Sequence, residues 1–281
     1  MNRGSCICED IQWQLDGEPD MVINCHCSMC RKAHGSAYAT FAMAAADKLH
    51  FTSGADKGAV FAASDHGQRH HCPRWGSVLP VTANGMAFVP LGSLEDAVER
   101  PLDAHIFVKS KAPWFEITDD AHQFDEYPPD YAMPPTDVGE RSAESQGAVS
   151  GSCLCGRVRY EFDPPAQRMV NCHCQRCRRS RSAVFSTQVF VAGEQFRWLS
   201  GEDETTVYKV PDAKVFAPRF CRHCGSLMPR VAEDGSIAAI PAGALDQDPG
   251  LRPAAHIFVG SGCPSHRITD ELPQYDGYPP A

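Results

Sequence analysis

Short runs of β-branched and aromatic residues, separated by Gly, Pro and Asp, recur along the chain. In the C-terminal half these runs predict strands at 158–162, 183–191, 195–199, 205–210 and 256–259. A helical period lasts only a turn or two, after Cys30 and after Cys177. The 22 glycines and 22 prolines fit the many turns that short strands need. The pattern therefore predicts an all-β fold of short strands and small loops.

The chain contains two copies of one cysteine pattern. Five cysteines recur 147 positions later, pairing Cys6 with Cys153, Cys8 with Cys155, Cys25 with Cys172, Cys27 with Cys174, and Cys30 with Cys177. Further on, 72–77 matches 221–226 at an offset larger by two, as short loop insertions would produce. We predict a duplicated domain, with copy one at 1–131 and copy two at 150–281. The linker at 132–149 is rich in Pro, Ser, Gly and acidic residues.

Net charge and cysteine content limit the class of protein. The net charge is −9, so we expect no nucleic-acid partner, because such binding relies on a basic surface. The first residues lack the apolar core of a secretory signal, and no run approaches 18 apolar residues, so we expect a cytoplasmic protein without a membrane partner. Fourteen cysteines in that compartment indicate reduced thiols, and their clustering favours metal ligation over disulfides.

Copy two contains two close thiol pairs that suit a structural zinc ion. This four-thiol set is Cys153, Cys155, Cys221 and Cys224. Four cysteine sulfurs at about 2.3 Å form the closed tetrahedral shell of such a site. Gly156 and Gly225 follow the second thiol of each pair, where a tight turn often needs a positive φ. The alternative is a group of buried, reduced cysteines without a metal.

Each copy also carries a C-x-C-x-x-C array. The first three-thiol set is Cys25, Cys27 and Cys30, and the second is Cys172, Cys174 and Cys177. His173 should face away from the metal, because neighbouring side chains of an extended segment point to opposite faces. Three protein ligands with an open fourth position are typical of catalytic zinc, so we predict that these six cysteines are catalytic. The alternative is a structural site that a distant residue completes.

The structural site of copy one departs from the pattern. Its incomplete set is Cys6, Cys8 and Cys72. Trp75 stands where copy two has Cys224, and Glu9 stands where it has Gly156. An indole cannot ligate zinc, so the metal here should be absent or weakly held unless His70 or His71 supplies a nitrogen. We therefore expect about three zinc ions per chain.

Together these motifs resemble the family of glutathione-dependent formaldehyde-activating enzymes, which also includes centromere protein V. The motifs are G-S-C-x-C-G at 151–156, N-C-H-C-x-x-C-R at 171–178, C-x-x-C-G-S at 221–226, Gly243-x-Leu245-Asp246 and a His-Ile-Phe tail. The resemblance covers nearly the whole chain, twice. It implies two tandem β-tent-like zinc-binding domains, each with a four-cysteine structural zinc and a three-cysteine active site.

The resemblance also implies an activity. In that family a glutathione thiol and formaldehyde meet at the three-cysteine zinc to give S-hydroxymethylglutathione, in a carbon–sulfur lyase class reaction written in reverse. Glutathione would be the co-substrate, and the partners would be a small-molecule thiol and an aldehyde. Three thiolates leave such a site negative, so nearby cations would help to admit an anionic tripeptide. Candidate glutathione contacts are Arg176 and Arg178, with Arg179 and Arg181 beside them and Arg31 and Lys32 in copy one.

Other interpretations remain open at this point. A non-catalytic, zinc-stabilised protein-interaction module would carry the same motifs, because fold and motif do not by themselves establish activity. A thiol–disulfide redox protein fits less well, since C-x-x-C occurs here inside larger ligand sets. His105 and His256 are expected to be hydrogen-bonded core histidines rather than general acids. The duplication further suggests that the two copies pack together as an intramolecular pseudo-dimer.

Overall fold

The computed structural model describes residues 1–64, 67–129, 147–210, 213 and 216–280. Within these ranges the chain consists mainly of strands, with one α-helix in each copy. The predicted all-β class is therefore confirmed. The predicted linker lies outside the described residues as far as position 146, and its last residue, Val149, begins a strand.

Copy one contains eleven strands and one α-helix among its described residues. The strands are β1 (Asn2–Ser5), β2 (Gln12–Leu15), β3 (Met21–Cys25), β4 (Ala39–Ala45), β5 (Leu49–Ser53), β6 (Ala59–Ser64), β7 (Gly67–His71), β8 (Val81–Ala83), β9 (Met86–Pro90), β10 (Ala104–Ile106) and β11 (His122–Gln123). The helix α1 (Ser28–His34) follows β3.

Copy two repeats this order with α2 (Gln175–Arg181) in the equivalent place. Its strands are β12 (Val149–Ser152), β13 (Arg159–Phe162), β14 (Arg168–Cys172), β15 (Ser186–Ala192), β16 (Phe196–Ser200), β17 (Thr205–Val207), β18 (Arg219–Cys221), β19 (Leu227–Met228), β20 (Arg230–Val231), β21 (Ile237–Pro241), β22 (His256–Ile257) and β23 (Gln274–Tyr275). The five predicted strands overlap β13, β15, β16, β17 and β22.

The same two sheets form in each copy. In copy one a three-stranded sheet has the order β1-β2-β5, and a six-stranded sheet has the order β11-β10-β3-β4-β9-β8. The corresponding orders in copy two are β12-β13-β16 and β23-β22-β14-β15-β21-β20. Neighbouring strands are antiparallel except β10 with β3 and β11, and β22 with β14 and β23. The duplication therefore extends to strand order and direction.

Both helices begin earlier than the sequence pattern indicates. Each starts directly after the middle cysteine of a three-thiol set, because that cysteine is the N-cap. The Cys27 sulfur accepts from the Cys30 N–H at 3.4 Å, and the Cys174 sulfur accepts from the Cys177 N–H at 3.3 Å. An N-cap acceptor satisfies one of the backbone donors that a helix leaves free at its start.

The two copies share one apolar core. A single cluster of buried side chains includes Trp13 and Trp75 of copy one with Tyr160 and Phe162 of copy two. Polar contacts also cross between the copies, for example Ser36 Oγ to the Phe185 carbonyl at 2.8 Å. The two family-like regions thus pack as an intramolecular pseudo-dimer, as the duplication suggested.

Glycines allow each helix to approach the opposite copy. The helix α1 packs on a 3₁₀ turn at Ala242–Ala244, and α2 packs on the matching turn at Leu91–Ser93. A Cβ atom on Gly243 would lie 2.3 Å from the Ser36 carbonyl oxygen, and one on Gly92 would lie 2.1 Å from that of Ala183. Only a residue without a Cβ fits these two contacts.

Candidate metal centres

One strand-to-helix corner builds each three-thiol set. In copy one, Cys25 is the last residue of β3, Cys27 is the N-cap of α1 and Cys30 lies in the first turn of that helix. The end of β14 and the start of α2 place the cysteines of copy two in the same way. In each set the sulfurs lie within 4.8 Å of one another. A single metal ion can therefore contact all three.

The four-thiol set joins two tight turns of copy two. Gly156 and Gly225 have φ values of 76° and 73°, as predicted for the residue after each thiol pair. The sulfur of Cys155 lies 3.3 Å from that of Cys153 and 3.7 Å from that of Cys221. Tetrahedral bonds of about 2.3 Å would place sulfurs about 3.8 Å apart. The four-thiol set therefore fits a closed zinc site.

The incomplete set has similar geometry with one ligand fewer. The sulfur of Cys8 lies 3.4 Å from that of Cys6 and 3.7 Å from that of Cys72. Trp75 is buried at the fourth position, and its indole stacks on Tyr208 of copy two with ring centroids 3.7 Å apart. Asp10 Oδ2 accepts a hydrogen bond from the Cys8 sulfur at 3.4 Å, but among the described residues no His, Asp or Glu lies within 4.8 Å of all three sulfurs. A weak or absent metal at this set stays a prediction.

No fourth protein ligand accompanies either three-thiol set in the part of the chain that the structure describes. The groups there contain cysteines alone, with no His, Asp or Glu within 4.8 Å of all three sulfurs. His173 turns away, as predicted, and its Nε2 lies 2.7 Å from Nδ1 of His256. All fourteen cysteines are free thiols rather than disulfides. Each set thus brings together three candidate metal ligands, with no fourth among the described residues.

An arginine lies beside each three-thiol set, from a different element in each copy. In copy one, Arg69 of β7 donates from Nη2 to the Cys30 sulfur at 3.3 Å, and the negative charge of that sulfur raises the pKa of Arg69. In copy two, Arg181 at the end of α2 is buried, and burial lowers its pKa while the Cys177 sulfur opposes that shift. A guanidinium in this position offsets the charge of thiolate ligands.

Hydrogen bonds among the thiols favour a thiolate within each set. Those from Cys25 and Cys27 hold the pKa of Cys30 well below its ordinary value. Those from Cys172 and Cys177 lower the pKa of Cys174 to about 2. The thiolate is the form that ligates a metal, so this charge distribution suits zinc binding.

A family comparison accounts for the repeated cysteine pattern. The sequence model described as glutathione-dependent formaldehyde-activating enzyme matches residues 1–110 and 148–261, one region in each copy. The chain belongs to this family. Its two family regions together contain all four thiol groups, each of which could hold a zinc ion.

Two further comparisons add little to the family assignment. No curated protein matches the chain. A crystal structure of a Rhodobacter sphaeroides protein is similar at 20% identity and a TM-score of 0.29, covering 35% of this chain and 92% of its own.

No helix among the described residues is long and apolar enough to span a membrane.

Behind each three-thiol set of this family member lies a buried chain of hydrogen bonds. In copy one, Nε2 of His26 lies 2.8 Å from Nδ1 of His105, whose Nε2 lies 3.0 Å from Asp119. His173, His256 and Asp270 repeat the chain in copy two. Burial lowers the pKa of both His26 and His173 to about 3, so both are neutral at pH 7. The chains hold His26 and His173, each of which lies between the first two cysteines of its three-thiol set.

Several predicted glutathione contacts lie elsewhere. Arg178 is buried between the copies and donates to the Gly92 carbonyl at 3.3 Å. Lys32 and Arg179 also face the opposite copy, where they pair with acidic residues. Arg176, by contrast, is exposed at the start of α2 beside the second three-thiol set, and it stays a candidate contact. Arg69 was missed, because copy two has Pro218 at the matching position and the repeat gave no signal for it.

A cavity of about 570 Å³ opens at the first three-thiol set. Its walls come from the six-stranded sheet of copy one and from the β6–β7 hairpin, which carries Arg69. This volume is within the range of small-molecule sites. The three thiols therefore lie at a pocket that a ligand of moderate size can fill.

Proposed function

We propose that this protein is a zinc-dependent carbon–sulfur lyase-type enzyme that handles S-hydroxymethylglutathione or a related adduct of a thiol and an aldehyde. The single observation that carries the proposal is the pair of three-thiol sets. Each brings three sulfurs within reach of one ion, without a fourth protein ligand among the described residues. Catalytic zinc sites have this composition, whereas structural sites have four protein ligands.

The six cysteines of the two sets would hold the catalytic zinc ions, and the four-thiol set would hold a structural one. A zinc ion held by these cysteines would supply a Lewis acid that lowers the pKa of a bound thiol. Arg69 and Arg181 limit the negative charge that three protein thiolates and a substrate thiolate accumulate. The buried histidine chains hold His26 and His173, and so keep the ligands on either side in place.

The reaction needs no oxidant or reductant. The sulfur of the substrate thiolate forms a bond to the aldehyde carbon, and the carbonyl π pair moves to oxygen. That oxygen takes up a proton equivalent to the one lost by the thiol, which gives the S-hydroxymethyl product. The reverse reaction breaks the same carbon–sulfur bond and releases the thiol and the aldehyde. Positioning two small reactants in a water-poor pocket is itself a large source of rate.

The direct test follows adduct formation from glutathione and formaldehyde by NMR exchange spectroscopy with the zinc-loaded full chain. We expect acceleration over the spontaneous rate, with loss of most of it in a double variant, Cys30→Ser with Cys177→Ser. Cys263→Ser is the matched control, because Cys263 is buried outside all four thiol groups. No acceleration with zinc present would overturn the proposal. The chain would then be better described as a zinc-stabilised interaction module.

A further inference from the structure

The two three-thiol sites differ along one row of side chains that crosses the six-stranded sheet. In copy one the row runs over β3, β4, β9 and β8 and consists of Met21, Met43, Phe88 and Val81. In copy two the strand register gives Arg168, Phe190, Ala239 and Arg230 at the same places. The two copies therefore share the strand register of this row, but the side chains along it are apolar in copy one and include two arginines in copy two.

The row lies on the same face of the sheet as the thiols. Met21 and Cys25 are four residues apart in β3, as are Arg168 and Cys172 in β14, and alternate residues of a strand share a face. Phe190 packs in one apolar cluster with the cysteines of the second set. The row is thus the floor on which a ligand bound at the thiols would lie.

The site of copy one is apolar. The side chains lining its cavity include Met21, Met43 and Phe88, and Arg69 is the sole Lys or Arg among the described residues that line it. That guanidinium already donates to the Cys30 sulfur. A carboxylate placed in this cavity would lose its hydration and would have to compete with the Cys30 sulfur for the Arg69 guanidinium. The cavity favours a neutral ligand.

The site of copy two has cations instead. The Arg168 guanidinium lies 4.5 Å from the centroid of the Phe190 ring, and Arg230 stands at the other end of the row. Arg176 replaces Met29 of copy one at the start of the helix. Arg168 and Cys172 are separated by four residues, or about 13 Å at the rise of a strand. A tripeptide of about 10 Å, with its thiol at the set, can present a carboxylate to such an arginine.

We infer that the two three-thiol sites select different ligands. The second site binds a thiol that carries carboxylates, and the first binds a neutral thiol with an aliphatic or aromatic substituent. The inference rests on the proposed function in one respect, namely that both ligands are thiols. A single chain then handles two classes of thiol adduct with one kind of metal site.

Calorimetric titration of the zinc-loaded full chain tests this with two probes, glutathione and 2-phenylethanethiol. The variant Arg168→Met with Arg230→Val gives the row of copy two the character of copy one. We expect it to weaken glutathione binding about tenfold or more, and to leave or strengthen binding of 2-phenylethanethiol. The reciprocal variant Met21→Arg should weaken binding of 2-phenylethanethiol at least about fivefold and should not weaken glutathione binding at the second site. Added salt should weaken glutathione binding alone.

The outcomes separate the inference from the proposed function. Two glutathione molecules bound per chain with equal affinity, or an unchanged glutathione affinity in the double arginine variant, would overturn the division of ligands while leaving thiol chemistry intact. Failure of both probes to bind the zinc-loaded protein would overturn the proposed function as well. Circular dichroism spectra matching the parent protein would show that the variants are folded.

Discussion

At the residue scale, Glu9 occupies a turn of the incomplete set where copy two has a glycine, Gly156. Its backbone has a φ of 60°, close to the 76° of Gly156 in the matching turn of copy two. The same hydrogen bond closes both turns, from the Glu9 N–H to the Cys6 carbonyl at 2.9 Å and from the Gly156 N–H to the Cys153 carbonyl at 3.0 Å. A side chain with a Cβ is strained in this region of φ.

We therefore expect Glu9→Gly to stabilise the protein by about 1 kcal/mol, because it removes the strain of a left-handed backbone. Urea unfolding would measure the change in the free energy of unfolding. Glu9→Ala is the matched control, since it removes the carboxylate and keeps the Cβ. If Glu9→Ala stabilised the protein as much, the cause would be charge rather than backbone strain.

A second prediction concerns a buried ion pair between the copies. Lys32 Nζ lies 2.5 Å from Oδ1 of Asp246, and the two side chains are only 8% and 6% exposed. Lys32→Met would leave Asp246 buried without its cation, so we expect a loss of about 3 to 5 kcal/mol in the free energy of unfolding. Thermal and urea unfolding of the zinc-loaded chain would measure it.

The pseudo-symmetry provides the control for this pair. Arg179 occupies the position equivalent to Lys32, and its partners Glu95 and Glu9 lie 3.8 and 3.9 Å away with 40% and 66% of their side chains exposed. Because water solvates both carboxylates, Arg179→Met should cost less than about 1 kcal/mol through these ion pairs. Equal losses in the two variants would mean that packing, rather than the buried charge, dominates at both sites.

At the element scale, the repeat predicted the positions of the thiols well, because short ligand spacings fix local turns. Cys153 to Gly156 and Cys221 to Gly225 needed only those spacings and a glycine. The predicted helix starts were too late. The sequence pattern indicated an extended segment around Cys27, whereas this cysteine is the N-cap of α1. Arg69 reaches Cys30 across 39 residues through hairpin pairing, and periodicity carries no information on such contacts.

Packing between elements also determines how closely each helix approaches the opposite copy. The 3₁₀ turn Ala242–Ala244 touches α1 through Gly243, with no room for a methyl group. We expect Gly243→Ala to lower the free energy of unfolding by about 1 to 3 kcal/mol or more, since a close-packed contact between backbones must open. Gly277→Ala is the control, because a Cβ there meets nothing within 4 Å. A Gly243→Ala variant with an unchanged free energy of unfolding would show that the two copies can move apart at this contact without loss of stability.

At the scale of the whole molecule, the two copies have diverged in different places while keeping one interface. Copy two keeps the four-thiol set and has Arg168 and Arg230 on the row beside its three-thiol set, whereas copy one lacks a fourth cysteine in its incomplete set and has an apolar pocket. Trp75, which replaces the lost ligand, stacks on Tyr208 of the other copy. Contact between the copies can therefore stand in for the stability that a structural metal supplies elsewhere in the chain.

This compensation predicts that the lost metal site can be restored. The turn of Trp75 matches that of Cys224: the Gly76 N–H donates to the Cys72 carbonyl at 2.8 Å, and the Gly225 N–H donates to the Cys221 carbonyl at 3.0 Å. Gly76 and Gly225 have φ values of 75° and 73°. Trp75→Cys should therefore place a fourth sulfur beside the incomplete set, and zinc measured by plasma mass spectrometry should rise from about three to about four ions per chain.

The stability of the same variant should depend on zinc. Removing the buried indole costs about 3 to 5 kcal/mol, whereas a structural zinc contributes about 10 to 16 kcal/mol in apparent binding. After chelation of zinc, Trp75→Cys should thus melt well below the parent protein treated in the same way. Its melting temperature should recover when zinc is restored. Trp75→Ala loses the same packing without gaining a ligand, so it should melt low in both states. An unchanged zinc content in Trp75→Cys would show that the incomplete set is not one sulfur short of a working site.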